Sequence, residues 1–235
     1  MGARHEAEVK VEAETGDFGA RGHALSADLV MVAPMTPDDL DEIMPLERQC
    51  FADPWTRRMY LSDLTTNEAA TYLVVRHGDA GTRRRGEGQA VEDNFAVSPG
   101  HRVSVSPVLA YGGFWLLMDE AHIATVASHP DWRGCGLGQW LMLALLDAAM
   151  ARGAATSTLE VRAGNLPAKR LYEKLGYEVA GARKRYYRDG EDGLIMTTPP
   201  LAEPAMQTRL AAARQDALHR LERCFDEGRT TKDER

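Results

Sequence analysis

The stretch Thr125-Val126-Ala127-Ser128-His129-Pro130-Asp131-Trp132-Arg133-Gly134-Cys135-Gly136-Leu137-Gly138-Gln139 decides how this chain is read. A strand-forming run ends near Ser128, and three glycines at alternate positions follow. A helix apolar around most of its girth then runs from about Leu137 to Arg152, carrying Trp140, Leu141, Leu143 and Leu145, with Gly153 at its stop. A glycine-rich turn that opens a helix presents unpaired backbone N–H groups at the positive end of the helix dipole, and such places bind phosphates. Any Cβ there would hold the phosphate oxygens off, and Arg133 adds a formal charge. The same glycines also suit a plain tight turn. A Walker loop would end in Gly-Lys-Ser/Thr, whereas here Gly138-Gln139-Trp140 stands, which disfavours nucleotide hydrolysis. The dinucleotide fingerprint GxGxxG has a different last spacing. What remains is Arg-x-x-Gly-x-Gly.

Toward the N-terminus, residues 1–28 mix acids, glycine and alanine without an apolar period and read as a disordered tail. Leu29 to Val32 form a short strand. Thr36 or Asp38 caps a helix whose buried stripe is Leu40, Ile43, Met44 and Leu46. Phe51 to Thr56 make a turn, and Thr56 caps a second helix with Met59, Tyr60 and Leu64. Thr71 to Val75 are a strand, Val108 to Leu117 its antiparallel return, and His122 to Ala127 the next strand. Gly112-Gly113 marks a bulge or close backbone approach. Residues 77–106, with Arg83-Arg84-Arg85 and only a weak strand at Asn94–Val97, read as a partly mobile insertion. Met206, Leu210, Ala213, Ala217, Leu221 and Cys224 form one stripe of a last amphipathic helix, docked on its own domain or on a second copy.

Downstream of the glycine loop come Leu159-Glu160-Val161-Arg162-Ala163-Gly164-Asn165, then Leu171-Tyr172-Glu173-Lys174-Leu175-Gly176-Tyr177, then Arg185-Tyr186-Tyr187 and Glu191-Asp192-Gly193-Leu194-Ile195-Met196. With the Arg-x-x-Gly-x-Gly loop these resemble the GNAT superfamily of N-acetyltransferases. The LEVR, LYE and YY blocks resemble its RimI-type ribosomal-protein alanine N-acetyltransferases. Phe51, Pro54, Trp55 and Thr56 look like that family's FPW-Ser/Thr turn. The likeness spans roughly Val30 to Met196; Gly164 departs from the usual Ser or Asn.

The resemblance implies an α/β fold of the GNAT type, a mixed, mostly antiparallel sheet flanked by helices, here with an extra C-terminal helix. It implies three parts: the tail 1–28, an acetyltransferase domain 29–200 with the insertion 77–106, and the helix 201–235. Acetyl-CoA is the implied co-substrate, without a metal. Val126, Ala127 and Ser128 would lie along its pantetheine arm, and Arg133, Gly134, Cys135, Gly136, Leu137, Gly138 and Gln139 would surround its pyrophosphate. Asn165, a credible helix N-cap, would also bond the cofactor. Glu160 matches the family's general base and Tyr172 the acid that protonates the leaving thiolate. Read from residues alone, Glu160 is a surface carboxylate paired with Arg162, and Tyr172 packs against Leu171 and Leu175. Trp55, Tyr186 and Tyr187 would wall a peptide groove, with Glu191 or Asp192 receiving arginines of a basic protein N-terminus; the tyrosines also read as an aromatic pair on a strand. Cys135 is not expected to be a nucleophile, since no histidine is paired with it.

The implied activity is acetylation of a protein N-terminal amine by direct transfer, the substrate by analogy being the alanine terminus of ribosomal protein S18. An acetyltransferase of a small amine or lysine, and a non-catalytic acyl-CoA-binding module, are the alternatives. One magnitude favours the first: an α-amine titrates near 7.7–8.0 and lysine near 10.4, so far more of the α-amine is neutral at pH 7. The chain's 235 residues, 44% hydrophobic and 27% charged, suit one soluble domain with extensions. A net charge of −7 argues against broad nucleic-acid binding. Neither a membrane span nor a secretory signal is expected. Cys50, Cys135 and Cys224 are odd in number and far apart, so neither a disulfide nor a zinc site is expected, and a reducing cytoplasm fits, with the chain a monomer or homodimer.

Overall fold

The computed structural model describes residues 29–78 and 107–226. The tail 1–28, nearly all of the insertion, its weak strand at Asn94–Val97, and residues 227–235 lie outside the described residues. The chain runs β1 (Val30–Pro34), a 3-10 turn (Pro37–Asp39), α1 (Leu40–Cys50), α2 (Arg57–Thr66), β2 (Ala70–His77), β3 (Val108–Leu117) and β4 (Glu120–Ser128). A second 3-10 turn (Pro130–Trp132) leads to α3 (Leu137–Ala151), β5 (Thr156–Arg162), α4 (Leu166–Lys174), β6 (Glu178–Arg183), β7 (Gly193–Thr197) and α5 (Pro204–Asp226).

The strands form one sheet in the order β1-β2-β3-β4-β5-β7-β6, antiparallel except where β4 meets β5. Each face is covered. Leu40, Ile43, Met44 and Leu46 bury the inner stripe of α1 together with Tyr60 and Tyr111 on one face. On the other, α3 packs Leu141, Leu145 and Leu146 under the sheet, and α5 lays its stripe from Met206 to Cys224 along α3. The helix period read from those six residues is the buried face of α5, docked on its own chain.

Local chemistry sets the ends. Thr36 and Asp39 bond at the start of the first turn, the Asp39 carboxylate accepting from the Thr36 N–H at 2.6 Å. The Thr56 hydroxyl accepts from the Met59 N–H at 3.4 Å to cap α2, and the Asn165 side chain accepts from the Ala168 N–H at 3.3 Å to cap α4. The glycine pair on β3 does both things its sequence allowed. The register slips between Gly113 and Phe114, and a Cβ on Gly112 would stand 2.7 Å from the Thr125 carbonyl.

The irregularity that matters lies at the centre. β4 and β5 pair only from Glu120–Ile123 to Thr156–Leu159. Beyond them the two strands part, so among the described residues no strand pairs the β4 edge from Ala124 to Ser128 on the β5 side, while β3 still pairs its other edge as far as Ser128. The glycine loop begins at the end of that edge.

Candidate active site

The loop is built by two left-handed glycines. Gly134 has φ +86° and Gly136 φ +93°, a conformation L side chains rarely adopt. Together they reverse the chain so that α3 starts at Leu137, with the Trp140 N–H donating to the Gly136 carbonyl at 2.9 Å. The N–H groups of the helix's first turn then have no intrahelical partner by construction. A Cβ on Gly134 would meet open space, whereas one on Gly136 would stand 3.0 Å from the Ala217 carbonyl of α5. Gly138 faces the Ser128 hydroxyl and Leu171, 3.5 Å from where its Cβ would be. These features fit a diphosphate: the first-turn backbone amides of α3, a helix dipole, and Arg133 at the rim. Gln139 contributes only its backbone, because its buried side chain donates to the Ala213 carbonyl on α5. Arg133 reaches the Cys50 sulfur at 3.5 Å, and burial pushes the Cys50 thiol's pKa up. The His129 ring accepts from the Asp131 N–H and so shapes the turn before the loop.

One expectation fails here. Cys135 and Cys224 are disulfide-bonded, their Cα atoms 5.5 Å apart, although 89 residues separate them. Folding brings the last turn of α5 against the glycine loop, a proximity that cysteine number and spacing do not encode.

Past the point where β4 and β5 part, Glu160 faces away from its core neighbours Leu159 and Val161. Its partner is not Arg162. One carboxylate oxygen meets His122 Nε2 of β4 at 3.3 Å and the other meets the Arg183 guanidinium of β6 at 3.1 Å. The His122 ring stacks on Trp115, which stacks on Trp55 with centroids 5.8 Å apart. The row Trp55–Trp115–His122 thus leads to the Glu160 carboxylate. Neither His122 nor Arg183 was singled out from sequence. The register of β4 with β5 and the sheet order β5-β7-β6 put them there, and no local motif carries that information.

Trp55 is fixed from beneath. Glu47, buried in α1, accepts from the Trp55 N–H at 2.8 Å, from the Tyr60 hydroxyl at 2.8 Å and from the Tyr111 hydroxyl. Burial and this carboxylate push both phenols far above their ordinary range.

Tyr172 projects from α4 beside Tyr177. Burial, with a smaller contribution from Tyr187, pushes its phenol up to about 12. Tyr187 responds electrostatically to Arg162, Tyr186, Glu160 and Glu191, while burial dominates its own upward shift. Tyr187 is within electrostatic reach of both residues singled out for proton transfer. Tyr186 and Tyr187 sit in the β6–β7 connection, not on a strand, and pack edge to face 5.1 Å apart. The Arg162 guanidinium lies 3.9 Å over the Tyr187 ring. Glu191 and Asp192 are already engaged. Glu191 holds Arg162 and accepts from the Gly164 N–H, and Asp192 holds Lys184 and the Arg185 N–H. Their carboxyls fall below the usual range because of these donors, Arg162 first for Glu191 and Lys184 first for Asp192. They brace the connection, each carboxylate already holding a cation of this chain. The exposed pair Asp53–Arg188, 3.2 Å apart, joins the α1–α2 turn to that connection.

Among the described residues no cluster of three or more His, Cys, Asp or Glu is arranged to hold a metal ion, and no helix is long and apolar enough to cross a membrane.

Comparison with known proteins agrees with this geometry. The model of the acetyltransferase (GNAT) family matches residues 106–177. A Bacillus subtilis protein named putative ribosomal protein bS18-alanine N-acetyltransferase is 33% identical over 166 residues, covering 70% of this chain and 92% of its own. The Escherichia coli K12 ribosomal protein bS18-alanine N-acetyltransferase is 30% identical over 171 residues, 72% of this chain and 96% of its own. The crystal structure of the Escherichia coli enzyme superposes with a TM-score of 0.56 at 28% identity, covering 73% of this chain and 94% of that one. The fold implied by the resemblance is the fold found, and the chain belongs to the GNAT family of acetyltransferases, in its RimI-type branch, as an enzyme that transfers acetyl groups.

Proposed function

We propose that this enzyme acetylates the N-terminal amine of a protein, with the alanine terminus of ribosomal protein S18 as substrate, by direct transfer in a ternary complex. The observation that carries the reading is the parting of β4 from β5, with the glycine loop at its end and Glu160 facing it. Acetyl-CoA supplies the activated acetyl group as a thioester. The β4 edge at Val126, Ala127 and Ser128, which β5 leaves unpaired, offers backbone groups to the amide-bearing pantetheine arm, as a paired strand would, with the Cys50 thiol at the Ser128 carbonyl marking its end. The amides from Gly134 to Gln139, with Arg133, hold the diphosphate, and Asn165 adds a polar contact from the α4 cap.

The acceptor ammonium enters along Trp55, Tyr186 and Tyr187. It exchanges with the Arg183 guanidinium at Glu160, one cation replacing another on the same oxygen. Glu160 takes two protons in turn and passes each to water, one as the ammonium becomes an amine and one as the amide forms; one of them ends on the departing sulfur and the other is released, while His122 keeps the carboxylate oriented from the opposite side. The Tyr172 hydroxyl donates to the departing sulfur. Its pKa near 12 keeps it protonated at every working pH. Full transfer to a thiolate of pKa about 8.5 is uphill by roughly 3.5 pKa units. Tyr172 therefore acts mainly as a hydrogen-bond donor that stabilises charge on sulfur, and the thiol's proton is completed from the pool that Glu160 feeds.

The same reading divides the chain into the tail 1–28, the domain 29–200 and the helical segment 201–235. A ribosomal-protein substrate places the reaction in the cytoplasm, carried out by a monomer or homodimer without direct nucleic-acid contact. The test is a competition assay with acetyl-CoA, offering a peptide that begins Ala-Arg against the same peptide with a blocked N-terminus and an internal lysine. The free α-amine is consumed at least tenfold faster if the proposal holds; equal consumption removes it.

A further inference from the structure

Two of the chain's three cysteines meet behind the glycine loop, in a pairing that no step of acetyl transfer uses. Cys135 lies inside the loop and is 1% exposed; Cys224 lies in the last turn of α5 and is 7% exposed. The other ties between loop and helix are non-covalent. Gly136 packs on the Ala217 carbonyl and the Arg220 Cβ, and Phe225, next to Cys224, packs on Trp132 with ring centroids 4.9 Å apart. Farther back α5 is anchored independently, by its buried stripe from Met206 to Leu221 and by the pairs Arg214–Asp147 and Lys174–Asp216. Opening the sulfur–sulfur bond therefore leaves α5 docked. What the bond adds is a covalent tie between the loop and the final turn of α5, where Phe225 packs on Trp132 and His77.

We propose that Cys135 and Cys224 form a reversible thiol–disulfide pair that sets how tightly the glycine loop holds coenzyme A. The proposal rests on the acetyltransferase reading of that loop. Closure proceeds by ordinary exchange with a low-molecular-weight disulfide such as oxidised glutathione. One cysteine thiolate attacks it and expels a small thiolate, and the second cysteine then attacks the mixed disulfide and expels the other. Two protein thiols are oxidised to one disulfide, the reagent is reduced to two thiols, and the two cysteine protons end on those thiols. Access runs through the end of α5, since helix termini open at little cost. The bond acts on binding because the backbone amides of residues 134–139 must converge on the diphosphate. A loop already tethered to α5 has less freedom to lose, so the oxidised protein binds more tightly.

The experiment uses the full chain, incubated either with oxidised glutathione or with a phosphine reductant that is then removed, and titrated with coenzyme A by calorimetry. In parallel, alkylation under denaturing conditions followed by mass spectrometry counts free thiols. The expected result is one alkylated cysteine, Cys50, after oxidation and three after reduction, with a Kd roughly three- to tenfold lower in the oxidised protein. Cys224→Ser, which leaves the loop sequence intact, binds like the reduced protein and no longer responds to the oxidant. Equal Kd values in the two states, or three free thiols after oxidation, overturn the proposal. Absence of coenzyme A uptake in both states overturns the acetyltransferase reading as well, and the thiol count, which needs no ligand, tells the two failures apart.

Discussion

Glu160 is held on both sides before an acceptor arrives, by His122 at 3.3 Å and Arg183 at 3.1 Å. A carboxylate so placed is oriented, and an incoming ammonium needs only to displace the more exposed of its two partners. In the proposed mechanism Glu160→Gln keeps the shape and removes the base, so kcat falls about a hundred- to a thousandfold while calorimetric coenzyme A binding is unchanged. An unchanged kcat refutes the role. Tyr172→Phe removes one hydrogen bond to the leaving sulfur and lowers kcat about ten- to a hundredfold, with the peptide KM little altered. Glu47 is a structural counterpart. Glu47→Ala leaves two buried phenols and the Trp55 N–H without their shared acceptor. The expected loss is about 2–5 kcal/mol, read as a drop in thermal midpoint with the Trp55–Trp115 stack loosened.

Elements differ in how much of them the chain's order of residues discloses. The stripes of α1 and α5 were readable because a helix buries residues at fixed spacing, and the same residues line the two cores. The glycine loop was readable because its chemistry is local. The neighbours of Glu160 were not: His122 and Arg183 come from strands on either side, and only the register of the sheet joins them. The Cys135–Cys224 contact was hidden for the same reason. The loop itself yields a graded test. Both Gly134 and Gly136 need positive φ, but only Gly136 lies against α5. Gly134→Ala costs roughly 1–2 kcal/mol of stability through the backbone alone, and Gly136→Ala costs more because the Ala217 carbonyl must also give way. Chemical denaturation of the two variants ranks them; equal losses would show that the contact with α5 yields freely.

At the scale of the whole molecule, the β6–β7 connection is set by charge. The carboxyls of Asp189, Glu191 and Asp192 lie below their usual range. Groups with depressed native pKa values contribute order that is complete above their ordinary pKa, near 4, and fades as pH falls through the lower native value. Acidification below about pH 4 is therefore expected to free the Tyr186–Tyr187 segment before the core opens, seen as a tyrosine signal that precedes the tryptophan signal of Trp132 and Trp140. Coincident transitions would contradict this.

The split between β4 and β5 has a last consequence, for solubility. Edge strands ordinarily invite another chain to add itself and so seed aggregates, and most proteins blunt them with charge or proline. Here the bare margin of β4 lies in mid-sheet, with β5 hydrogen-bonded beside it at the base and drawing away only farther along. A foreign strand would have to wedge into that notch between two members of one sheet. The enzyme can thus offer a binding margin to a slender guest in a notch that β5 closes at its base, where the strand of a second copy has little room to add itself.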